Sequence, residues 1–284
     1  MKKLFALMMT MMLAVICSFA FTACSEDEVK YPVTDGKFTV VTNCPFGNYE
    51  YIGDDGKVYG IDIEIAKLFA DENNLELVVK NIDFDAIFTQ VDSGYADAGM
   101  AGITVTDTRK KVYDFSDTYC KASQKLIVLE SNNDFDGLTD AAAVEGLLGG
   151  LSGKTIGFQT GTTGGMYING DEDFGFDGFS NITGAGYDTA VLAVEDMLNG
   201  NIYAVVVDEG PADAIVASKS GVKVVDVKLT DEEYAFVMKK GNKTLQDKFN
   251  AFIAKIKANG TYAEIEAKYY QNVGTKIGCD VTTD

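Results

Sequence analysis

Between residues 37 and 271, short β-branched runs alternate with amphipathic segments, and this alternation limits the possible folds more than any other feature of the chain. A hydrophobic period of two that switches to about 3.6 and back describes strands joined through helices, the pattern of α/β architecture. "KFTVVTN" (37–43) reads as a strand leading into a loop. In "GIDIEIAKLFADENN" (60–74), Ile61, Ile65, Leu68 and Phe69 share one helical face. "LELVVK" (75–80) is the next strand, "DFDAIFTQVDSG" (83–94) a helix stopped by glycine, and "ADAGMAG" (96–102) a strand end. "KLIVLE" (125–130), "KTIGFQT" (154–160), "YAVVVD" (203–208) and "YAFVMKKG" (234–241) read as further strands. "TAVLAVEDMLNG" (189–200) is a helix with a glycine stop, and "TLQDKFNAFIAKIKANG" and "TYAEIEAKYYQN" are two helices near the C-terminus. Segment 132–151, rich in alanine and glycine, predicts a short surface helix. Segment 170–181 places Asp171, Asp173 and Gly175 in part of a calcium-loop spacing; without the later ligands it reads as a solvated acidic loop.

The length, 284 residues, is enough for two domains with real cores. A formal charge of −19 argues against nucleic acid, whose phosphates need basic patches. The chain has no histidine, which excludes histidine-based catalysis and removes the commonest metal ligand. No cofactor or metal is expected.

Residues 1–23 read as a lipoprotein signal peptide: Lys2 and Lys3 precede an almost wholly apolar run, then "FTAC" resembles a lipobox with Phe21 in place of the usual leucine. Cys24 is then the lipidated first residue, and residues 24–36 a flexible tether. Cys44, Cys120 and Cys279 remain, too irregular for a disulfide framework or a zinc pattern. One bridge among them is possible, and nothing in the sequence chooses a pair.

Lysine is plentiful, yet Arg109, in "AGITVTDTRKKVYDFSDTY" (101–119), is the only arginine. A planar guanidinium can grip both oxygens of a carboxylate, which an ammonium cannot. An α-amino acid asks for such a fork, for an acid facing its ammonium, and for a concave site walled by aromatic or polar groups.

Four segments and the C-terminal helix carry a specific resemblance. "TNCPFGNYEYIGDDGKVYGIDIEIAKLFA", "AGMAGITVTDTRKKVYDFSDTY", "GKTIGFQTGTTG", "MLNGNIYAVVVDEGPADA" and "ANGTYAEIEAKYY" are together similar to the family 3 extracellular solute-binding proteins, polar amino-acid receptors of bacterial ABC importers. The resemblance implies an α/β bilobal periplasmic-binding-protein type II (Venus flytrap) fold. Lobe 1 takes residues 36–120 plus 235–284 and lobe 2 takes 121–234, with hinge crossings near 120–125 and 231–235. It also implies that Arg109 grips the ligand carboxylate, with Ala101, Gly102 and Thr104 offering backbone and hydroxyl bonds around it. Asp208 pairs the ammonium, Thr162 and Thr163 donate further bonds to the carboxylate, and Phe46 and Phe84 flank the ligand. Asn43 stands where several relatives carry aspartate, and Gln159 where others vary with ligand charge; the two neutral amides favour a polar uncharged or cystine-like amino acid. The expected partners are that amino acid, the importer's permease and, through Cys24, the outer face of the cell membrane. The protein is expected to be a monomer.

Each residue also suits a plainer role. Arg109 can pair with Asp114 or Asp117, Asp208 can cap a helix beginning near Pro211, Thr162 and Thr163 can do likewise, and the phenylalanines can be core. The rival function is a cyclohexadienyl or arogenate dehydratase on the same fold, with Glu209 or Asp85 as a perturbed proton donor.

Overall fold

The apolar centre of "KFTVVT" needs burial on both faces, and β1 (Lys37–Thr42) lies inside a six-stranded sheet with Phe38, Val40 and Val41 wholly buried. In this computed structural model, which describes residues 29–172 and 175–282, strands and helices are numbered along the chain. The first sheet runs β15 (Val281–Thr282), β4 (Glu76–Asn81), β1, β5 (Ala98–Gly99), β14 (Val237–Lys239), β6 (Tyr113–Phe115). β4 and β5 flank β1 in parallel, whereas β14 is antiparallel to its neighbours. Helices α1 (Ile61–Glu72), α2 (Phe84–Asp92) and α3 (Asp107–Val112) belong to this half, as do α8 (Lys243–Ala258) and α9 (Thr261–Tyr270) near the C-terminus. On one face Phe69 stacks on Phe249 at 4.3 Å and meets Phe38 at 4.9 Å; on the other, Val41 packs with Ile87 and Val91. A small hairpin, β2 (Tyr51–Ile52) with β3 (Val58–Tyr59), precedes α1.

The second sheet has five strands in the order β10 (Ile182–Tyr187), β9 (Lys154–Gln159), β11 (Ala204–Asp208), β8 (Gln124–Leu129), β12 (Val222–Val225). It is covered by α4 (Ala141–Gly150), α5 (Thr163–Asn169), α6 (Ala190–Leu198) and α7 (Glu209–Ser218). The two sheets exchange no strand. Between them, β7 (Cys120–Ala122) pairs antiparallel with β13 (Glu232–Tyr234), so the chain passes between the halves along a two-stranded ribbon. These crossings coincide with the segments expected to form a hinge.

Three expectations need correction or placement. "YAFVMKKG" is not one strand: the chain changes partners between Tyr234, bonded to β7, and Val237, bonded to β5 and β6. The tether ends earlier than residue 36. Tyr31 packs on the first core, and the Val33 and Thr39 N–H groups donate to the two oxygens of buried Asp97 at 2.7 and 2.8 Å, which docks this segment. The expected signal peptide and Cys24, the expected site of lipidation, lie outside the described residues, among which no helix is long and apolar enough to cross a membrane. Cys44, Cys120 and Cys279 are free thiols.

Candidate functional site

A cavity of about 10 Å³ between the two halves is lined by Phe46, Phe84, Gly102, Thr104, Arg109, Thr162, Thr163 and Asp208. All eight are among the residues singled out in the sequence. Five come from the first half and three from the second, so strand and helix ends from both sheets converge on one point. A larger hollow, about 820 Å³, is a surface groove beside α3, β6 and β13. Its lysines, Lys110 and Lys240, already pair with Asp107 and Asp114, so the converging chemistry lies at the smaller cavity.

Arg109 sits on α3, whose first turn is tied by the Thr106 hydroxyl accepting from the Arg109 N–H at 3.1 Å. The side chain turns inward and is 7% exposed. Its guanidinium lies over Phe88 at 4.9 Å and Phe84 at 5.8 Å, a cation–π setting that keeps the charge while removing water. Nη1 donates to the Thr104 carbonyl at 2.6 Å, and Nη2 crosses the cleft to the Gly161 carbonyl at 2.9 Å. Asp114 pairs with Lys240 instead. Gly102 is needed as glycine twice over: its φ is +53°, and a Cβ there would come within 2.5 Å of the Phe46 ring. Its N–H donates to buried Asp62 at 2.9 Å.

On the opposite wall, Asp208 ends β11 at the point where α7 begins. It makes no side-chain capping bond to that helix, so the capping role is not the one it plays. Its Oδ1 accepts from the Tyr234 hydroxyl. Desolvation, then repulsion from Glu232, pushes the Asp208 carboxyl up to about 7. Thr162 likewise makes no capping bond; its hydroxyl donates to the Gln159 carbonyl at 2.8 Å. The hydroxyls of Thr104 and Thr163 donate to Glu232 Oε2 at 2.7 and 2.8 Å. A hydroxyl has one proton. The expectation that these threonines donate to a carboxylate is therefore corrected: as folded, all three give their protons to the protein.

Three of the expected residues lie outside the lining. Ala101 is buried in the first half's core beside Ile87 and Ile103. Asn43 and Gln159 bond to each other across the cleft, Nε2 of Gln159 donating to Oδ1 of Asn43 at 2.6 Å. Asn43 Nδ2 donates on to the Ile82 carbonyl, and Gln159 Nε2 also meets the Asp188 carbonyl. Glu209 pairs with Lys125 and Lys228 on the surface side of β11.

Sequence reading missed Glu232, Tyr234, Gln124 and Glu50. Gln124 Nε2 donates to Thr163 Oγ1 at 3.0 Å. Glu50 is wholly buried, its carboxylate oxygens without a hydrogen-bond partner among the described residues. Burial raises its pKa well above the ordinary range, helped by the charges of Asp62 and Asp208. Asp62 is itself pushed up to about 7 by desolvation. Tyr234 could have been noticed, since it falls in the crossing segment expected at 231–235 and an aromatic ring does not suit an exposed linker; Glu232, in the polar run "TDEEY", carried no such signal.

The profile of the bacterial extracellular solute-binding proteins, family 3, matches residues 38–272. A probable histidine-binding protein of Neisseria gonorrhoeae is 26% identical over 275 residues, covering 92% of this chain and 95% of the relative. The L-cystine-binding protein TcyJ of Escherichia coli (strain K12) is 25% identical over 282 residues, covering 98% and 96%. Among solved structures, an amino acid ABC transporter substrate-binding protein from Streptococcus pneumoniae, AbpA bound to L-arginine, superposes with a TM-score of 0.72. It is 30% identical, and the match covers 84% of this chain and 97% of that one. The two-sheet α/β architecture is thus the type II periplasmic-binding fold. With the match running through both sheets and the ribbon between them, this chain belongs to the bacterial extracellular solute-binding proteins, family 3.

Proposed function

We propose that the protein binds an α-amino acid between its two halves and delivers it to the permease of an ABC importer, with a polar uncharged or cystine-like side chain preferred. One observation carries this reading: the chain's single arginine and the buried Asp208 line the same small cavity from opposite halves. Arg109 suits a carboxylate and Asp208 an ammonium, one zwitterion's width of chemistry. Phe46 and Phe84 supply the apolar walls. About 10 Å³ holds at most about one water, so an amino acid enters only when the halves part. The Arg109–Gly161 and Asn43–Gln159 bonds then break or rearrange, and Arg109 Nη2 turns from a carbonyl to the ligand carboxylate; Thr163 parts from Glu232 on opening and meets it again on closure. Closure on a ligand is favoured because the closed state alone meets both of its charges. The β7–β13 ribbon serves as the hinge, residues 36–120 with 235–284 and residues 121–234 being the moving lobes. The neutral Asn43–Gln159 pair bounding the cleft supports an uncharged ligand side chain. Lipidation at Cys24 holds the monomeric receptor at the outer face of the cell membrane.

A thermal-shift screen against glutamine, cystine, arginine, histidine and the remaining common amino acids tests the reading. A ligand present at a hundred times its Kd adds about 2.7 kcal/mol, an upward shift of several degrees. Failure of every amino acid to shift the melting temperature, or turnover of prephenate or arogenate, would overturn it.

A further inference from the structure

We propose that Glu232 is a positioning residue which fixes the amino-group wall of the cleft as a set of acceptors, so that the site takes an α-ammonium and rejects an α-hydroxyl. This rests on the amino-acid reading above and goes beyond it by assigning the discrimination to a residue that does not line the cavity.

Glu232 lies on the ribbon between the halves and is 4% exposed. Three hydroxyls converge on it. Thr104 from the first half and Thr163 from the second share Oε2, at 2.7 and 2.8 Å, and Thr230 donates to Oε1 at 2.5 Å. Thr104 and Thr163 also line the cavity, beside Asp208. Because each hydroxyl has a single proton, what it has left to offer a ligand is lone pairs. Thr163 has one of these already engaged by Gln124 Nε2, and Asp208 Oδ1 is engaged by Tyr234. The side chains of Thr104, Thr163 and Asp208 therefore present acceptors to the cavity.

An ammonium brings three N–H donors and no lone pair, which complements such a wall completely. A hydroxyl in its place brings one donor and sets its own lone pairs against the remaining oxygens. The threonine hydroxyls cannot simply turn to help it, because a buried carboxylate would lose the protons it now receives. A side chain without an acceptor at 232 would leave both hydroxyl protons free to turn toward the cavity. An acceptor at 232, placed where Oε2 meets Thr104 and Thr163, is thus what keeps both hydroxyls pointing away.

The test is the substitution Glu232→Leu, close in size and without an acceptor, with Kd measured by calorimetry for two probe pairs: L-glutamine and 2-hydroxyglutaramate, and L-arginine and its 2-hydroxy analogue. In the wild type the amino form of the bound pair should bind at least about tenfold more tightly than the hydroxy form, the scale of one unmatched buried acceptor. In E232L that preference should shrink by about tenfold, with the hydroxy form losing little or gaining. If E232L does not fold, Glu232→Asp withdraws the acceptor from both hydroxyls and should collapse the preference in the same way. Equal weakening of both forms would mean a merely structural role and would overturn the proposal, as would an unchanged ratio. A wild type that binds neither amino acid would instead bring down the amino-acid reading, and this inference with it.

Discussion

The two halves of the cleft meet their polar groups in opposite ways. The first half is largely self-sufficient: the Arg109 guanidinium rests on Phe84 and Phe88 and bonds Thr104, and Gly102 bonds Asp62, all within the same half. The second half borrows more: Asp208 and Thr163 find partners, Tyr234 and Glu232, on the crossing ribbon, to which Thr104 alone of the first half's lining also donates. The cationic wall is therefore preorganised, whereas the anionic and hydroxyl wall is organised through the segment about which the halves would move. Preorganised donors cost little on binding, so the first half should hold the ligand's carboxylate in the open state, and the second should supply affinity only on closure.

The largest effect should come from breaking the preorganised side. Arg109→Lys keeps the charge but loses the fork, and should weaken amino-acid binding by about a hundredfold or more, as expected when a buried carboxylate loses its hydrogen-bonded partner. Calorimetry on the amino acid identified by thermal shift checks this; a lysine variant that binds like the wild type removes the bidentate role.

A smaller loss, about thirtyfold, should follow Asp208→Asn, on the same warrant with one fewer charged contact. That variant sharpens the comparison because it also acts without ligand. A carboxyl held at about 7 when folded and about 3.9 when unfolded binds its proton more tightly in the folded chain. Its contribution to stability is thus present at low pH and is lost as pH rises toward 7. The ligand-free wild type should gain stability between pH 8 and pH 6, and D208N should gain less over the same interval, both read as melting temperature. Asp62, also raised to about 7, contributes equally to both proteins and cancels in the difference. For the ligand the sign reverses. An ammonium needs ionised Asp208, so Kd should rise about tenfold from pH 8 to pH 6. A Kd flat across that range would detach Asp208 from the ammonium.

The smallest effect belongs to the rim. Gln159→Ala removes an interlobe bond to Asn43 and should change Kd by no more than about fivefold, the net worth of roughly one hydrogen bond. A much larger change, confined to one amino acid in the panel, would make Gln159 a direct reader of the ligand side chain.

Much of the architecture was legible because it rests on local regularities. The apolar runs of β1, β8, β9 and β11 and the amphipathic faces of α1, α2, α6 and α8 announced themselves through period. β10, "ITGAGY", did not, since its glycines carry no pattern; it forms by pairing along its whole length with β9. Short α3 was invisible for want of length, and α5 showed only through the capping role open to Thr162 and Thr163. The eight lining residues were legible through their segments' resemblance to a family, and Arg109 alone through its rarity and the chemistry of its fork.

What the sequence determined by itself was therefore the alternating α/β plan, the family, and which residue types would meet a zwitterion. Only the tertiary structure decided which way each hydroxyl points, that Asn43 and Gln159 satisfy each other, and that Glu232 and Tyr234 stand behind the cleft. The physical reason is distance along the chain. Thr104 and Thr163 reach Glu232 across 128 and 69 residues, and Gln159 reaches Asn43 across 116. A proton shared over such a span has no local signature; its direction is set only when folding brings the carboxylate to it.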